Sequence, residues 1–93
     1  MITAIVLINT EASLIPEAAQ AIADIPGIEA VYSVTGEVDL IAVAKVRRHE
    51  DLAGIIADQV SKTPGVVTTQ TFIAFQTYSQ RDLDEAYDLG LGD

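Results

Sequence analysis

The sequence contains no cysteine, and only five of its 93 residues are basic. Without cysteine, a disulfide, a thiolate zinc site and a thiol nucleophile are all excluded. Fourteen acidic residues give a formal net charge of −9, which argues against direct DNA or RNA binding because neutralising phosphates takes clustered lysine and arginine. The same charge would repel an anionic membrane surface and favours solubility.

Long hydrophobic runs are also missing. No segment approaches the roughly 20 apolar residues of a membrane span, and the N-terminus lacks the basic region and apolar run of a signal peptide. A cytoplasmic protein is therefore expected. The length predicts one domain, and its core must consist of Ile, Val, Leu and Ala because aromatic residues make up only 5% of the chain.

Apolar periodicity predicts four strands and two helices in the order βαββαβ. Residues 2–9 form a β-branched run that is typical of a strand covered on both faces. Residues 28–35, 39–46 and 66–78 predict the other strands. Helical spacing predicts a helix that begins at Pro16 and runs to residue 25, and a second over 50–62, each ended by a Pro-Gly pair. The inward candidates of the second helix are Leu52, Ile55, Ile56, Gln59 and Val60.

The two halves of the chain resemble each other. A shift of 38 residues places Pro26-Gly27-Ile28 on Pro64-Gly65-Val66. Two strand–helix–strand units joined by a hairpin make a ferredoxin-like arrangement. The predicted fold class is α+β, an antiparallel sheet with the first and third strands central and both helices on one face. Along the third strand Leu40 and Ala42 point one way and Ile41 and Val43 the other, and two helices can cover only one of these apolar faces. The face left open predicts face-to-face dimerisation into a dimeric α/β barrel.

The C-terminal residues differ in character from the rest, which divides the chain into a domain over 1–78 and an acidic segment over 79–93. Arg81 is opposed there by five carboxylates. Two interpretations stay open for this segment. It is either a frayed acidic tail or a short helix that runs through Tyr87 and is capped by Ser79 or Asp82.

The connection between the second and third strands, Val34-Thr35-Gly36-Glu37-Val38-Asp39-Leu40, is the first candidate site. Gly36 can supply the positive φ of a tight turn, and its missing Cβ would let a ligand carboxylate approach backbone N–H groups. Asp39 is expected to bond a backbone N–H, as Asp commonly does at turns.

This hairpin and the segment Pro64-Gly65-Val66-Val67-Thr68-Thr69-Gln70-Thr71 together resemble the effector-sensing (RAM) domain of the Lrp/AsnC, or feast/famine, transcriptional regulators. That family has a Val-x-Gly-x-aromatic-Asp hairpin and a Pro-Gly-Val-x-x-x-x-Thr strand, and the likeness covers residues 2–77. Val38 stands where the family usually has an aromatic residue. Because the first strand begins at Ile2, the resemblance implies a stand-alone sensing domain that lacks the helix-turn-helix.

The resemblance implies a non-catalytic module without cofactors that senses a small molecule, typically an amino acid, in transcription regulation. It implies a dimer formed through sheet faces, often assembled further into a tetramer of dimers, and is compatible with co-assembly with a full-length regulator. The acidic charge independently predicts no direct nucleic-acid or membrane contact. The effector would lie near the hairpin, with Asp39 pairing with its α-ammonium group. The implied ligand-binding residues are Gly36 and Asp39, Thr69 and Thr71 on one face of the last strand, and Tyr32 and Ser33 on the neighbouring strand.

Other functions stay open beside this one. Dimeric ferredoxin-like barrels also serve as small monooxygenases and isomerases, and ACT-type regulatory domains share the strand order. The sole histidine, His49, has no base partner or second ligand at a suggestive spacing, so neither a general base nor a metal site is predicted. Lys45, Arg47 and Arg48 complete the only basic cluster and are expected to pair with Glu50, Asp51 or a neighbouring subunit.

Overall fold

The β-branched runs of the sequence form one four-stranded antiparallel sheet in the computed structural model, which describes residues 1–78. The strands are β1 (Ile2–Thr10), β2 (Ile28–Ser33), β3 (Leu40–Val46) and β4 (Val66–Ile73). Helix α1 (Ile15–Ala23) follows β1, and helix α2 (His49–Ala53) follows β3. The predicted βαββαβ order is therefore confirmed. Residues 79–93, for which a tail or a short helix was predicted, lie outside the described residues.

The strand order across the sheet is β2-β3-β1-β4, which confirms the two central strands. In β1, Ile2 pairs with Val46 of β3 at one end, and Ile8 pairs with Leu40 at the other. Ile8 also pairs with Thr69 of β4. The two edges of the sheet are thus β2 and β4, separated by both central strands.

The hydrophobic core fills the space between the sheet and the helices. Alternate residues of β1 and β3 point into it, and those at positions 4, 6, 8, 40, 42 and 44 are fully buried. Ala18 and Ile22 of α1 meet them from the helix side. On the opposite face, Ile5 remains 37% exposed. In a single chain β1 is therefore covered on one face, whereas the sequence predicted cover on both.

Helix α1 begins one residue before Pro16, which occupies its first turn and needs no intrahelical N–H there. A short 3-10 helix, Ala12–Leu14, precedes it, between the predicted first strand and the predicted first helix. The helix ends at Ala23, two residues earlier than predicted. Gly27 then takes a φ of +99°, so the Pro-Gly pair turns the chain toward β2 as expected.

The second helix changes its hydrogen-bonding pattern partway along. Helix α2 is followed directly by a π-helical segment, Gly54–Val60, and the Ser61 N–H donates to the Ile56 carbonyl five residues back at 2.9 Å. Because each π turn holds one more residue than an α turn, Ile55 and Val60 both reach the core while Gln59 is exposed. The prediction of an inward Gln59 is therefore wrong.

Strand β4 ends at Ile73, five residues before the predicted Tyr78. Its neighbour β1 begins at Ile2, and the last backbone hydrogen bond between them runs from the Ala74 N–H to the Thr3 carbonyl at 2.8 Å. Because alternate residues of β1 bond to β4, the next residue to do so would be Met1, which precedes β1. Among residues 1–78, neither helix has the length and hydrophobicity needed to cross a membrane.

Candidate functional site

The connection from β2 to β3 is a hydrogen-bonded turn whose backbone is accessible at Gly36. The Val34 N–H donates to the Asp39 carbonyl at 3.1 Å, which draws the two ends of the turn together. Gly36 has a φ of +125°, in the region that L side chains rarely adopt, so its predicted role in the turn is confirmed. A Cβ built at Gly36 would have no atom within 4 Å. The backbone at Gly36 is therefore open to a ligand.

Asp39 ties this turn to the end of β1. Its N–H donates to the Ile8 carbonyl at 3.0 Å, and its carboxylate Oδ2 accepts the Thr10 N–H at 2.8 Å. The predicted bond to a backbone N–H is thus present, but its donor lies 29 residues away rather than in the turn. Within residues 1–78, no donor reaches the second oxygen, Oδ1. The carboxylate is therefore held in place with one oxygen available.

Three loops meet at this end of the sheet: the hairpin, the chain after β1 and the chain before β4. Beside the hairpin, the Glu11 N–H donates to the Gly65 carbonyl at 2.8 Å, which joins the chain after β1 to the chain before β4. The Asn9 side-chain amide donates to Thr68 Oγ1 at 3.1 Å. The hydroxyl of Thr10 is buried without a hydrogen-bond partner among the described residues. This end of the sheet, between the hairpin and the start of β4, is the most polar part of the predicted site.

Thr69 and Thr71 share one face of β4, as predicted. Thr69 pairs with Ile8 and Thr71 with Val6, both of which point toward the helices. Thr69 is half-buried, and its hydroxyl lies 3.5 Å from that of Ser61. Thr71 is exposed. Both hydroxyls can therefore reach a ligand at the edge of the sheet.

Tyr32 and Ser33 lie far from Thr69 and Thr71. Strand β2 is at the opposite edge from β4 rather than beside it, so their predicted place on the neighbouring strand is wrong. Three strand spacings separate these edges, roughly 14 Å. Ser33 faces the helix side beside Leu40, whereas Tyr32 pairs with Ile41 and lies 57% exposed on the open face. One chain therefore does not bring all six predicted ligand residues together.

The basic cluster lies at the far end of the sheet, where β3 ends, and is largely paired with carboxylates. Lys45 Nζ is 3.4 Å from Glu29, and Arg48 approaches Glu50 and Asp51 at 3.9 and 3.7 Å. The expected pairing with residues 50 and 51 is confirmed for Arg48. Within the described part of the chain, no group of three or more metal-ligating side chains occurs.

Several residues of this site carry no signal in the sequence. Thr10 takes part through its backbone N–H, and Asn9 and Ser61 take part only because folding brings them beside β4. Only the register of three strands reveals them.

The fold and this polar end define a class of protein: a small α+β ligand-binding domain of the ferredoxin-like type. Comparison with known proteins agrees. The family model of the Lrp/AsnC ligand binding domain matches residues 3–84. The chain belongs to this family, whose named relatives are HTH-type transcriptional regulators, a regulatory class rather than an enzymatic one.

Three similar proteins illustrate the range of the family. The crystal structure of TTHA0845 from Thermus thermophilus is 36% identical with a TM-score of 0.81, over 86% of this chain and 100% of that one. The HTH-type transcriptional regulator LysM of Saccharolobus solfataricus is 32% identical over 78 residues, which are 83% of this chain and 54% of LysM. A feast or famine regulatory protein from M. tuberculosis, complexed with L-methionine, is 26% identical with a TM-score of 0.71, over 87% of this chain and 55% of that one.

This chain and its curated relatives differ in length. This chain spans about half the length of the curated relatives it matches. The match lies within the ligand-binding domain, so the likeness concerns that part of each regulator.

Proposed function

We propose that this domain binds a free amino acid at the hairpin end of its sheet and changes its state of assembly when it does. The observation that carries the proposal is Asp39, whose carboxylate is fixed by the Thr10 N–H and keeps Oδ1 available. The complex of the M. tuberculosis relative with L-methionine supports an amino acid as the class of ligand.

The chemistry of the site suits the two charged groups that every amino acid carries. The α-ammonium pairs with Asp39, because an ionised acceptor makes the stronger hydrogen bond. The α-carboxylate approaches the backbone at Gly36, where nothing lies within 4 Å of the missing Cβ. Hydroxyls of Thr69 and Thr71 supply further donors from β4, on the other side of β1. Side-chain selectivity would come from residues beyond these common contacts.

A second chain completes the site. Tyr32 and Ser33 lie beside β3 but at the opposite edge of the sheet from Thr69 and Thr71, so one ligand meets both pairs only when one pair comes from another subunit. The open sheet face offers an interface for that subunit. It carries Ile5, Tyr32 and Phe72, which are 37%, 57% and 48% exposed. A continuous apolar face of this kind marks an interaction surface, and packing it against a second copy makes the dimeric barrel.

The same face would accept the equivalent domain of a full-length regulator of the family. In that mixed assembly the effector would act on the regulator through this chain. Binding shifts an assembly equilibrium only if the ligand has different affinities for the two states. A site shared between subunits supplies that difference.

The domain itself does not bind DNA. Its net charge is −9, and two of the cations in its basic cluster are paired with Glu29, Glu50 and Asp51. Binding to phosphates depends on free, clustered cations. Fluorescence anisotropy with duplex DNA at low salt would therefore show no saturable binding by this chain.

A thermal-shift panel of the common L-amino acids, followed by calorimetry of each hit, tests the proposal. At least one amino acid should raise the melting temperature and titrate to a defined stoichiometry. Asp39→Asn should abolish that shift, whereas the exposed Glu37→Gln should retain it. A panel in which no amino acid binds the wild type would contradict the proposal.

A further inference from the structure

The charged residues of the described chain are unevenly divided between the two ends of the sheet. Five carboxylates lie at or beside the hairpin end, in the loops and helix turns that meet there: Glu11, Glu17, Glu37, Asp39 and Asp58. One cation accompanies them, Lys62, just before the turn into β4. Five carboxylates against one cation give this end of residues 1–78 a formal charge of −4.

The other cations of residues 1–78 lie at the opposite end of the sheet. Lys45, Arg47 and Arg48 follow one another where β3 ends, and Lys45 and Arg48 are engaged there in ion pairs. Strand β3 is seven residues long, so the two ends are separated by about 20 Å. That separation is more than twice the Debye length of about 8 Å in physiological salt. These cations therefore do little to offset the acidic charge at the hairpin end.

Two of the acidic residues flank the carboxylate of the proposed site. Glu11 directly follows Thr10, whose N–H is bonded to Asp39 Oδ2 at 2.8 Å, and Glu37 lies two residues before Asp39 in the turn. Both glutamates are exposed, and no cation among residues 1–78 lies within ion-pair distance of either. A ligand held at the second oxygen of Asp39 therefore lies between two further carboxylates.

The hydroxyl of Thr10 marks this end as a site for a polar group, independently of its charge. It is buried and has no hydrogen-bond partner among the described residues, although the N–H of the same residue is bonded to Asp39. Buried polar atoms in folded proteins are almost always paired, with the protein, with water or with a ligand, because leaving them unpaired costs stability. The residue that holds Asp39 thus has an unmet hydrogen-bonding group beside Glu11.

We propose that this site prefers amino acids with a cationic side chain, of the arginine or lysine type, over neutral and acidic ones. The preference rests on the proposed function, since it concerns the side chain of an amino acid whose α-ammonium pairs with Asp39. All amino acids share the α-ammonium and α-carboxylate, so these groups cancel in a comparison. A cationic side chain gains the attraction of Glu11 and Glu37. An acidic side chain is repelled by both.

The size of the preference follows from Coulomb's law in water. A unit charge about 7 Å from one exposed carboxylate changes the binding constant roughly threefold, and two such carboxylates change it roughly tenfold. Salt screens this effect, because the Debye length falls from about 10 Å at 0.1 M to about 3 Å at 1 M. The preference should therefore be large at low salt and small at high salt.

Calorimetry of the whole chain with two isosteric pairs of ligands tests the proposal. Arginine and citrulline have nearly the same shape and differ in charge, and so do glutamate and glutamine. At low salt arginine should bind roughly tenfold more tightly than citrulline, and glutamine more tightly than glutamate. In about 1 M NaCl both ratios should approach one. Citrulline that binds as tightly as arginine at low salt, or glutamate that binds as tightly as glutamine, would overturn the preference.

A matched pair of variants locates the effect. Glu11→Gln removes one flanking carboxylate and should lower the ratio of arginine to citrulline affinity about threefold. Glu50→Gln removes an exposed carboxylate at the opposite end of the sheet and should leave the ratio unchanged. Circular dichroism should show that both variants are folded. A ratio that responds equally to the two substitutions, or to neither, would overturn the assignment to the hairpin end.

The two proposals fail in different ways. If a neutral amino acid binds and arginine binds no more tightly than citrulline, the proposed function holds and the cationic preference is wrong. If no amino acid binds the wild type, both are wrong.

Discussion

The carboxylate of Asp39 has two roles in this account, one structural and one in binding, and two substitutions separate them. Asp39→Ala removes the acceptor of the Thr10 N–H, a bond of 2.8 Å in a half-buried position. Hydrogen bonds to charged groups contribute about 1.5–3 kcal/mol. Because water can partly replace the lost acceptor here, we expect a loss of about 1–2 kcal/mol in the free energy of unfolding.

Asp39→Asn keeps an oxygen acceptor of the same shape and removes only the charge. We therefore expect stability within about 1 kcal/mol of the wild type, since the bond to Thr10 survives as a neutral one. The α-ammonium of an amino acid loses its ionic partner, which should weaken binding by at least about tenfold, equivalent to about 1.4 kcal/mol.

Urea denaturation and calorimetry measure these two effects on the same samples, at one protein concentration because assembly alters apparent stability. A loss of about 1–2 kcal/mol corresponds to roughly 5–15 °C in melting temperature for a domain of this size. Glu37→Ala, in the same turn and exposed, is the control and should change stability by less than about 0.5 kcal/mol. If Asp39→Ala were as stable as this control, the structural role would be refuted. If Asp39→Asn bound its amino acid like the wild type, the binding role would be refuted.

Three further substitutions test other parts of the account. Gly65→Ala should cost about 2–3 kcal/mol by urea denaturation, because φ is +94° and the new Cβ would lie 2.9 Å from Leu14. In Gly36→Ala the new Cβ meets no atom, so this substitution should cost only the backbone strain, about 1–2 kcal/mol. Equal losses for the two variants would contradict this difference. Ile22→Ala should cost about 2–5 kcal/mol, because Ile22 is fully buried and leaves a cavity, and a loss below about 1 kcal/mol would show that the core is not packed as described. Ile5→Lys should leave the chain folded by circular dichroism but lower its mass in sedimentation, since Ile5 lies on the open sheet face; an unchanged mass would exclude that face as the interface.

Much of the fold follows from local patterns in the sequence. Both Pro-Gly pairs end their helices, and Gly27 and Gly65 take positive φ values as such turns require. The β-branched runs give the four strands, and alternation along β3 separates buried Leu40 and Ala42 from Ile41 on the open face. These features depend on residues close together in the chain, so the sequence reveals them.

The errors have a common cause, since each depends on partners distant in sequence or on a hydrogen-bonding pattern without a sequence signal. The end of β4 is set by where β1 begins, and the exposure of Gln59 by a π turn that the apolar spacing does not indicate. At the site, Gly36 and its turn are predictable. The bond from Asp39 to Thr10 is not, because it joins residues 29 positions apart. The positions of Tyr32 and Ser33, at the edge opposite β4, follow only from the strand order.

The central claim is that an amino acid binds at the hairpin end and changes how chains assemble. Sedimentation velocity of the wild type, at several protein concentrations with and without a saturating mixture of L-amino acids, tests it most directly. The account predicts that the mixture shifts the distribution of sedimentation coefficients, and that Asp39→Asn does not respond. Identical distributions for the wild type with and without the mixture, at every concentration, would contradict it.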